Sequence, residues 1–331
     1  MAHSDQIKRR DFITLLGGAA AWPLAVRGQS AMPVIGFLSS ASAGGFGHLI
    51  AGFRRGLQGI NFVEGQNVAI EYAWAEGHYD RLPELAHNLV RRQVSVLATS
   101  GGDNPSLAAM VATSTIPVLF VVGSDPVKIG LVASLARPGG NATGVNIFTA
   151  ELAEKRFGLL NDALPTAATF AVLTNPKFPP AMSNAQQSED AGRRLGKEVV
   201  IFHASIESEI DSAFARMAAA RPGALLVSAD PFFNSRREQI VALAARYTFP
   251  AIYEWREFVE VGGLMSYGTD LVEAYRLQGA YAGRVLKGEN PADLPVVQLS
   301  KFQLVINLNT ARVLGLTIPP GVLAIADEVI E

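Results

Sequence analysis

Val121-Val122-Gly123-Ser124-Asp125-Pro126-Val127 and Leu226-Val227-Ser228-Ala229-Asp230-Pro231-Phe232 share one grammar: an apolar run, two small residues, then Asp-Pro. A short continuous apolar run closed by turn residues reads as a strand buried on both faces, the kind found in parallel sheets. Asp before Pro reads as a helix N-cap followed by the first helical position. The two stretches are therefore expected to be corresponding strand tips of two similar α/β lobes facing each other across a cleft, each Asp capping a helix.

The chain around them alternates in the same way. Strands are expected at 34–38, 68–74, 94–98 and 118–122, with helices at 48–57, 81–92 and 106–113 between them. After the turn cluster Arg137-Pro138-Gly139-Gly140-Asn141, a strand at 142–148 opens a second series. It runs helix 151–164, strand 170–173, helix 185–195, strand 199–203, helix 206–220, strand 225–227, helix 234–246, then strands 251–253 and 263–267. A long helix at 271–286, an extended stretch at 298–308, a short helix at 309–314 and a last helix after Pro319-Pro320 complete the chain. Single helices between strands build parallel sheets, and two such series build two. The expected fold is α/β: two Rossmann-like lobes with parallel sheets, joined by a multi-crossing hinge. Lobe 1 is assigned to 32–147 plus about 270–297, and lobe 2 to 148–268 plus about 298–331.

Composition agrees with two cores: 331 residues, 49% hydrophobic and 18% charged. The absence of Cys excludes disulfides, thiolate-bound metal and thiol catalysis. At the N-terminus, Lys8-Arg9-Arg10-Asp11-Phe12-Ile13 precedes a mildly apolar stretch interrupted by Gly17, Gly18 and Pro23, then Arg27-Gly28-Gln29-Ser30-Ala31. A basic region, a short apolar region and small residues make an export signal, and paired arginines before Phe fit its twin-arginine subclass. Residues 1–28 are assigned to it, with cleavage near Gly28 and the mature protein in the periplasm. Its apolar region is too short to span a bilayer. Cleavage removes more basic than acidic side chains from a chain of net charge −2, leaving a mature surface without the positive field a nucleic-acid partner needs.

Ligands of open parallel sheets bind outside the carboxyl ends of the strands. The tips here are small and polar: Ser39-Ser40, Ser100-Gly101, Ser124-Asp125, Asn175-Pro176, Asp230, Tyr253-Glu254 and Gly268. Hydroxyls and backbone N–H groups at helix starts suit an anion, whereas Asp and Glu suit an ammonium. Each polar tip taken alone is equally well read as a cap, and the set across two lobes is what points to binding. Tyr253, Trp255, Phe232, Phe233 and Tyr267 stand near second-lobe tips as walls for an apolar group, with Tyr253 favoured among them. Gly44-Gly45-Phe46-Gly47-His48 lacks the Gly-Lys-Ser/Thr of a P-loop and the third Gly of a dinucleotide fingerprint. No Gly-x-Ser-x-Gly elbow occurs, and the five histidines show no metal-ligand spacing, so neither a metal nor a cofactor is expected.

Val34-Ile35-Gly36-Phe37-Leu38-Ser39-Ser40, the 121–127 tip, Arg137-Pro138-Gly139-Gly140-Asn141-Ala142-Thr143-Gly144-Val145 and Lys301-Phe302-Gln303-Leu304-Val305-Ile306-Asn307-Leu308-Asn309-Thr310-Ala311 resemble the ABC transporter substrate-binding proteins of the type that includes tryptophan- and tyrosine-binding members. The resemblance runs over the whole mature chain. It implies a type I periplasmic binding protein fold that clamps a small solute, an amino acid or related carboxylate, between two lobes and offers its closed form to a membrane permease. Carried over by position, Ser39, Ser40, Ser100, Gly101, Ser124 and Asp125 line the first lobe. Asn175, Asp230, Tyr253, Glu254 and Gly268 line the second. Many relatives are lipid-anchored through a Cys after the signal; this chain has none, which implies a freely diffusing monomer without a membrane anchor. It is expected to be no enzyme. The rival readings are an exported hydrolase or lyase using the same cleft, which turnover would reveal, and a ligand-sensing receptor for a signalling partner, which gene neighbourhood would separate.

Overall fold

Strands buried on both faces dominate the centre of each sheet, as the unbroken apolar runs require. The computed structural model describes residues 32–149, 152–178 and 180–331. The export signal expected at 1–28 lies outside the described residues.

The first sheet contains β1 (Val34–Ser39), β2 (Ala69–Trp74), β3 (Val96–Ser100), β4 (Val118–Val122), β5 (Ala142–Asn146) and β11 (Val297–Gln298), in the order β11-β5-β4-β3-β1-β2. All its pairs are parallel. The second contains β6 (Thr169–Thr174), β7 (Glu198–His203), β8 (Ala224–Val227), β9 (Ala251–Tyr253), β10 (Met265–Thr269), β12 (Phe302–Asn307) and β13 (Glu328–Ile330), in the order β13-β12-β10-β9-β8-β6-β7. Only β10 and β12 run antiparallel.

Helices cover both faces of each sheet, and the side chains of a strand alternate between them. On β1, Ile35 and Phe37 pack with Phe53 and Leu57 of α1 (Gly47–Gln58) and with Tyr275 of α10 (Leu271–Leu286). Leu38 packs to the other side with Leu82 and Leu89 of α2 (Leu82–Arg91) and Ala109 of α3 (Asp103–Ala112). On β6, Phe170 and Val172 meet Phe157 and Leu160 of α4 (Ala153–Ala163) and Ala191 of α5 (Ala181–Arg194). Ala171 and Leu173 meet Phe214 of α6 (Glu207–Ala220) and Ile240 of α8 (Arg237–Arg246). Burying each such Leu, Ile or Phe stabilises the fold by about 1.5–3 kcal/mol.

One helix fixes the crossings. Although α10 follows β10 of the second sheet, it packs on the first against α1, backbone to backbone. A Cβ on Gly56 would lie 1.9 Å from the Arg276 carbonyl oxygen, and one on Gly279 would lie 2.0 Å from that of Phe53. Its fully buried Gln278 donates to the carbonyls of Thr99 (2.8 Å) and Leu119 (2.7 Å) in β3 and β4. The chain then adds β11 beside β5 and returns to the second sheet as β12. It thus passes between the sheets three times, after β5, β10 and β11.

Local departures have local causes. The helix expected at 234–246 is broken at Arg236 (φ −112°, ψ 18°) into α7 (Pro231–Ser235) and α8. Short elements escape periodicity: β11, α9 (Arg256–Glu260) and β13 were not expected. Asp125 does not cap a helix. Its carboxylate accepts the N–H of Val127 (2.9 Å) and Lys128 (3.4 Å) in a turn that stops at Gly130, where φ is +77°. Among the described residues no helix is long and apolar enough to cross a membrane, and no cluster of His, Asp or Glu could hold a metal ion.

Candidate functional site

Between the tips of the two sheets lies a small cavity walled by residues of both. The first sheet contributes Gly101, Gly102, Val121, Gly123 and Ile147. From the second come Phe178, Ala229, Asp230, Pro231, Asn234 and Trp255. Phe46 flanks it, and Leu271 and Tyr275 of α10 complete the wall.

The lobes touch over this cavity. His48 Nε2 lies 3.1 Å from Glu257 Oε1, and Arg237 Nη1 donates to the Gly45 carbonyl at 3.2 Å. Gly101 and Gly102 turn at φ +80° and +91°, a region only Gly enters freely. A Cβ on Gly102 would come within 2.8 Å of the Phe178 ring, so the bare backbone is what admits that ring from the other lobe.

Asp230 caps α7. Its Oδ1 accepts the N–H of Phe232 (2.7 Å) and Phe233 (3.1 Å), and its Oδ2 accepts the side-chain N–H of Asn175 (3.1 Å). Burial pushes its carboxyl up to about 7, against the pull of these three donors. Cap and cavity wall are the same residue. Asn234, one turn on and 1% exposed, makes no side-chain hydrogen bond among the described residues, nor does the indole N–H of Trp255, 6% exposed. Buried polar groups in native proteins are satisfied with few exceptions. Other unpartnered buried groups, such as those of Thr174 and Asn184, do not line the cavity, whereas Asn234 and Trp255 do and are within reach of a ligand there.

Of the residues singled out from sequence, Gly101, Asp230 and Trp255 line the cavity. Several others stand one layer behind. The Ser40 hydroxyl donates to the Gly101 carbonyl, and Ser39 Oγ accepts the Ala41 N–H at 3.2 Å. Ser100 and the Gly101 N–H face the Tyr275 hydroxyl, whose pKa burial raises. Asn175 orients Asp230. Ser124 is held by Asp103, its hydroxyl donating to Oδ2 at 2.5 Å. Asp125 sits on the turn described above, 3.6 Å from Lys128 Nζ. Gly268 is packed against the Glu254 carbonyl, 2.2 Å from where a Cβ would stand. Glu254 pairs with Arg156 at 3.4 Å, both side chains 1% exposed. Burial raises the Glu254 carboxyl to about 7 while Arg156 pulls it down, and burial lowers Arg156. The Arg156 guanidinium also donates to the Thr149 carbonyl at 3.1 Å.

Tyr253 faces away from this cavity. Its ring stacks on Phe258 (centroids 4.6 Å, 11°) and lines a separate apolar pocket with Val241 and Leu314. Two residues on, at the start of α9, Trp255 reaches the cleft instead. Phe46, Thr149, Phe178, Asn234, Leu271 and Tyr275 line the cavity without having been singled out for it. Asn234 stands one helical turn after an Asp-Pro tip, and Phe46 follows the Gly44-Gly45 lip, so both carry a faint sequence signal. Leu271 and Tyr275 carry none, since α10 reaches the cleft only through its crossing.

A cleft between two mostly parallel sheets, closed by contacts from both, is a solute-binding arrangement, and residues 34–330 match the family model of the ABC transporter substrate binding protein. The chain belongs to that family. The tyrosine-binding protein of Clostridioides difficile (strain R20291) is 25% identical over 265 residues, 80% of this chain and 76% of that protein. The structure of an ABC domain from Streptococcus pneumonia in complex with L-Trp superposes on this binding protein with a TM-score of 0.79, at 27% identity over 90% of this chain and 99% of that one. A conserved domain protein from Vibrio cholerae gives a TM-score of 0.81, at 26% identity and the same coverage. The two α/β lobes read from strand and helix alternation are present, and the periplasmic binding protein fold that the resemblance implied is the fold these chains share.

Proposed function

We propose that this binding protein is the capture component of an ABC importer. Exported by the twin-arginine signal at residues 1–28, it works in the periplasm as an unanchored monomer. It clamps an amino acid or a closely related solute between lobe 1 (32–147 plus about 270–297) and lobe 2 (148–268 plus about 298–331), and delivers it to a permease. The observation that carries this reading is the cavity between the lobes, where Asp230, Asn234 and Trp255 present polar groups among aromatic walls.

Asp230 takes the ammonium, with Asn175 holding the carboxylate in place. Phe46, Phe178 and Trp255 enclose an aromatic or branched side chain. Ser40 acts from behind by holding the Gly101 carbonyl, Ser100 by facing the Tyr275 hydroxyl, and Ser39 by holding the Ala41 N–H of the neighbouring tip. A ligand touching both lobes is fully contacted only in the closed state, and so shifts the population toward the form a permease engages. Mass spectrometry of ligand released from the purified protein, followed by calorimetry with Asp230→Ala, tests the reading. An amino acid in the released fraction and a large loss of affinity in the variant are expected. Unchanged affinity would remove Asp230 from the site, and turnover of the solute would replace a binding protein with an enzyme.

A further inference from the structure

Charge around the cavity is of one sign. Among the described residues that line it there is no Lys, Arg or His, and the one carboxylate is Asp230. On the first-lobe wall the donors of Gly123 and Ser124 are already engaged. Asp103, 3% exposed, accepts the N–H of Gly123 (3.2 Å), the N–H of Ser124 (3.4 Å) and the hydroxyl of Ser124 (2.5 Å). Gly123 lines the cavity, so this second carboxylate lies directly behind that wall. Asp103 is also the first residue of α3, and its charge already answers the positive end of that helix. Arg156, behind Thr149, is committed to Glu254 and to the carbonyls of Thr149 and Tyr267.

The second-lobe wall differs. Asp230 uses three of its roughly four acceptor directions, leaving one on Oδ2. Asn234 has its side-chain oxygen free one turn away, and the uncharged N–H of Trp255 is free beside them.

We propose that the cavity selects its ligand by the ammonium and the aromatic group and offers the carboxylate no partner of opposite charge, so that arylalkylamines, the decarboxylated counterparts of aromatic amino acids, are ligands of this protein in their own right. This rests on the amino-acid reading above. Asp230 Oδ2 and Asn234 Oδ1 accept the ammonium N–H groups, while Phe46, Phe178 and Trp255 wall the ring. A carboxylate, when present, meets only uncharged donors and stands between Asp103 and Asp230, two like charges.

Calorimetry on protein stripped of ligand by unfolding and refolding separates the possibilities, with L-tryptophan, tryptamine and indole-3-propionate as one probe set and L-phenylalanine, phenethylamine and 3-phenylpropionate as the other. The amine is expected within tenfold of the amino acid, and the acid at least about 30-fold weaker, the loss that follows when a buried charge pair loses one member. Asp103→Asn keeps an acceptor for Gly123 and Ser124 but removes the charge. It should shift the acid-to-amine affinity ratio toward the acid by threefold or more, at unchanged thermal stability. An amino acid that binds while its amine is 30-fold or more weaker overturns the inference and leaves the amino-acid reading standing. If neither binds and a neutral sugar does, both fall.

Discussion

Raising the pH from 4 to 8 should weaken the ligand-free fold, and Asp230 should account for about half of the loss. The carboxyl is pushed from an ordinary 3.8 to about 7 because it is fully buried at the cleft. Below pH 4 it is protonated in folded and unfolded chains alike. Between 4 and 7 only the unfolded chain releases the proton, so the unfolded state gains and stability falls; above 7 both have released it and the loss is complete. Three pH units at 1.36 kcal/mol each put the loss on the order of 4 kcal/mol for Asp230. Glu254, raised from 4.5 to about 7 beside Arg156, adds a loss in the same direction on the order of 3 kcal/mol. Urea unfolding of the wild type and of Asp230→Asn, at half-unit steps of pH, measures this. Asn is an equally good cap and can still accept from Phe232 and Phe233. The wild-type slope should correspond to about two protons over the window and the variant's to about one. An ammonium ligand requires the ionised carboxylate, so affinity should fall about tenfold per pH unit below 7, with uptake of the ligand releasing one proton. Equal slopes for the two proteins, or stability rising with pH, would refute the assignment of the buried carboxyl.

Three further outcomes follow from the packing. Gly56→Ala should destabilise the protein by about 1–3 kcal/mol in urea unfolding, because its methyl meets the Arg276 carbonyl at the α1–α10 crossing and overpacking outweighs the helix propensity Ala gains. The rim pair joins the lobes rather than either core, so His48→Ala should lower ligand affinity a few-fold, in line with about 0.5–1 kcal/mol for a partly exposed hydrogen bond. Small-angle scattering should then show the ligand-free variant more open, and an unchanged profile would discount the pair. Arg156→Met should cost about 3–5 kcal/mol by leaving Glu254 buried and unpaired. Adding Glu254→Leu should recover part of that, and a double variant less stable than the single one would count against the buried pair.

Much of the fold was legible because its causes are local. Strand 118–122 is an unbroken apolar run, and α10 is bounded by the cap Asp270, which accepts the Glu273 N–H at 3.0 Å, and by Lys287-Gly288. The elements that escaped are those too short for a period to register, such as α9 and β13. Asp230 was visible as a tip, and Trp255 stood among the candidate walls, but the choice fell on Tyr253. Tyr253 ends β9 and Trp255 stands two residues beyond it at the start of α9, which sets one ring in the core against Phe258 and the other at the cavity.

The sequence by itself determined that the chain makes two α/β layers with small polar residues at the strand ends, since burial pattern and turn chemistry act within a few residues. Only the tertiary structure decided which of those polar groups remain free. Ser124 looked like an anion donor, but β3 and β4 are neighbours, and their pairing brings Asp103, 21 residues earlier, onto its hydroxyl and its N–H. Glu254 looked like a partner for a cation, but α4 lays Arg156 against it. A hydrogen bond or an ion pair is satisfied once, by whichever partner the sheet order places nearest, and that order is a property of the whole chain.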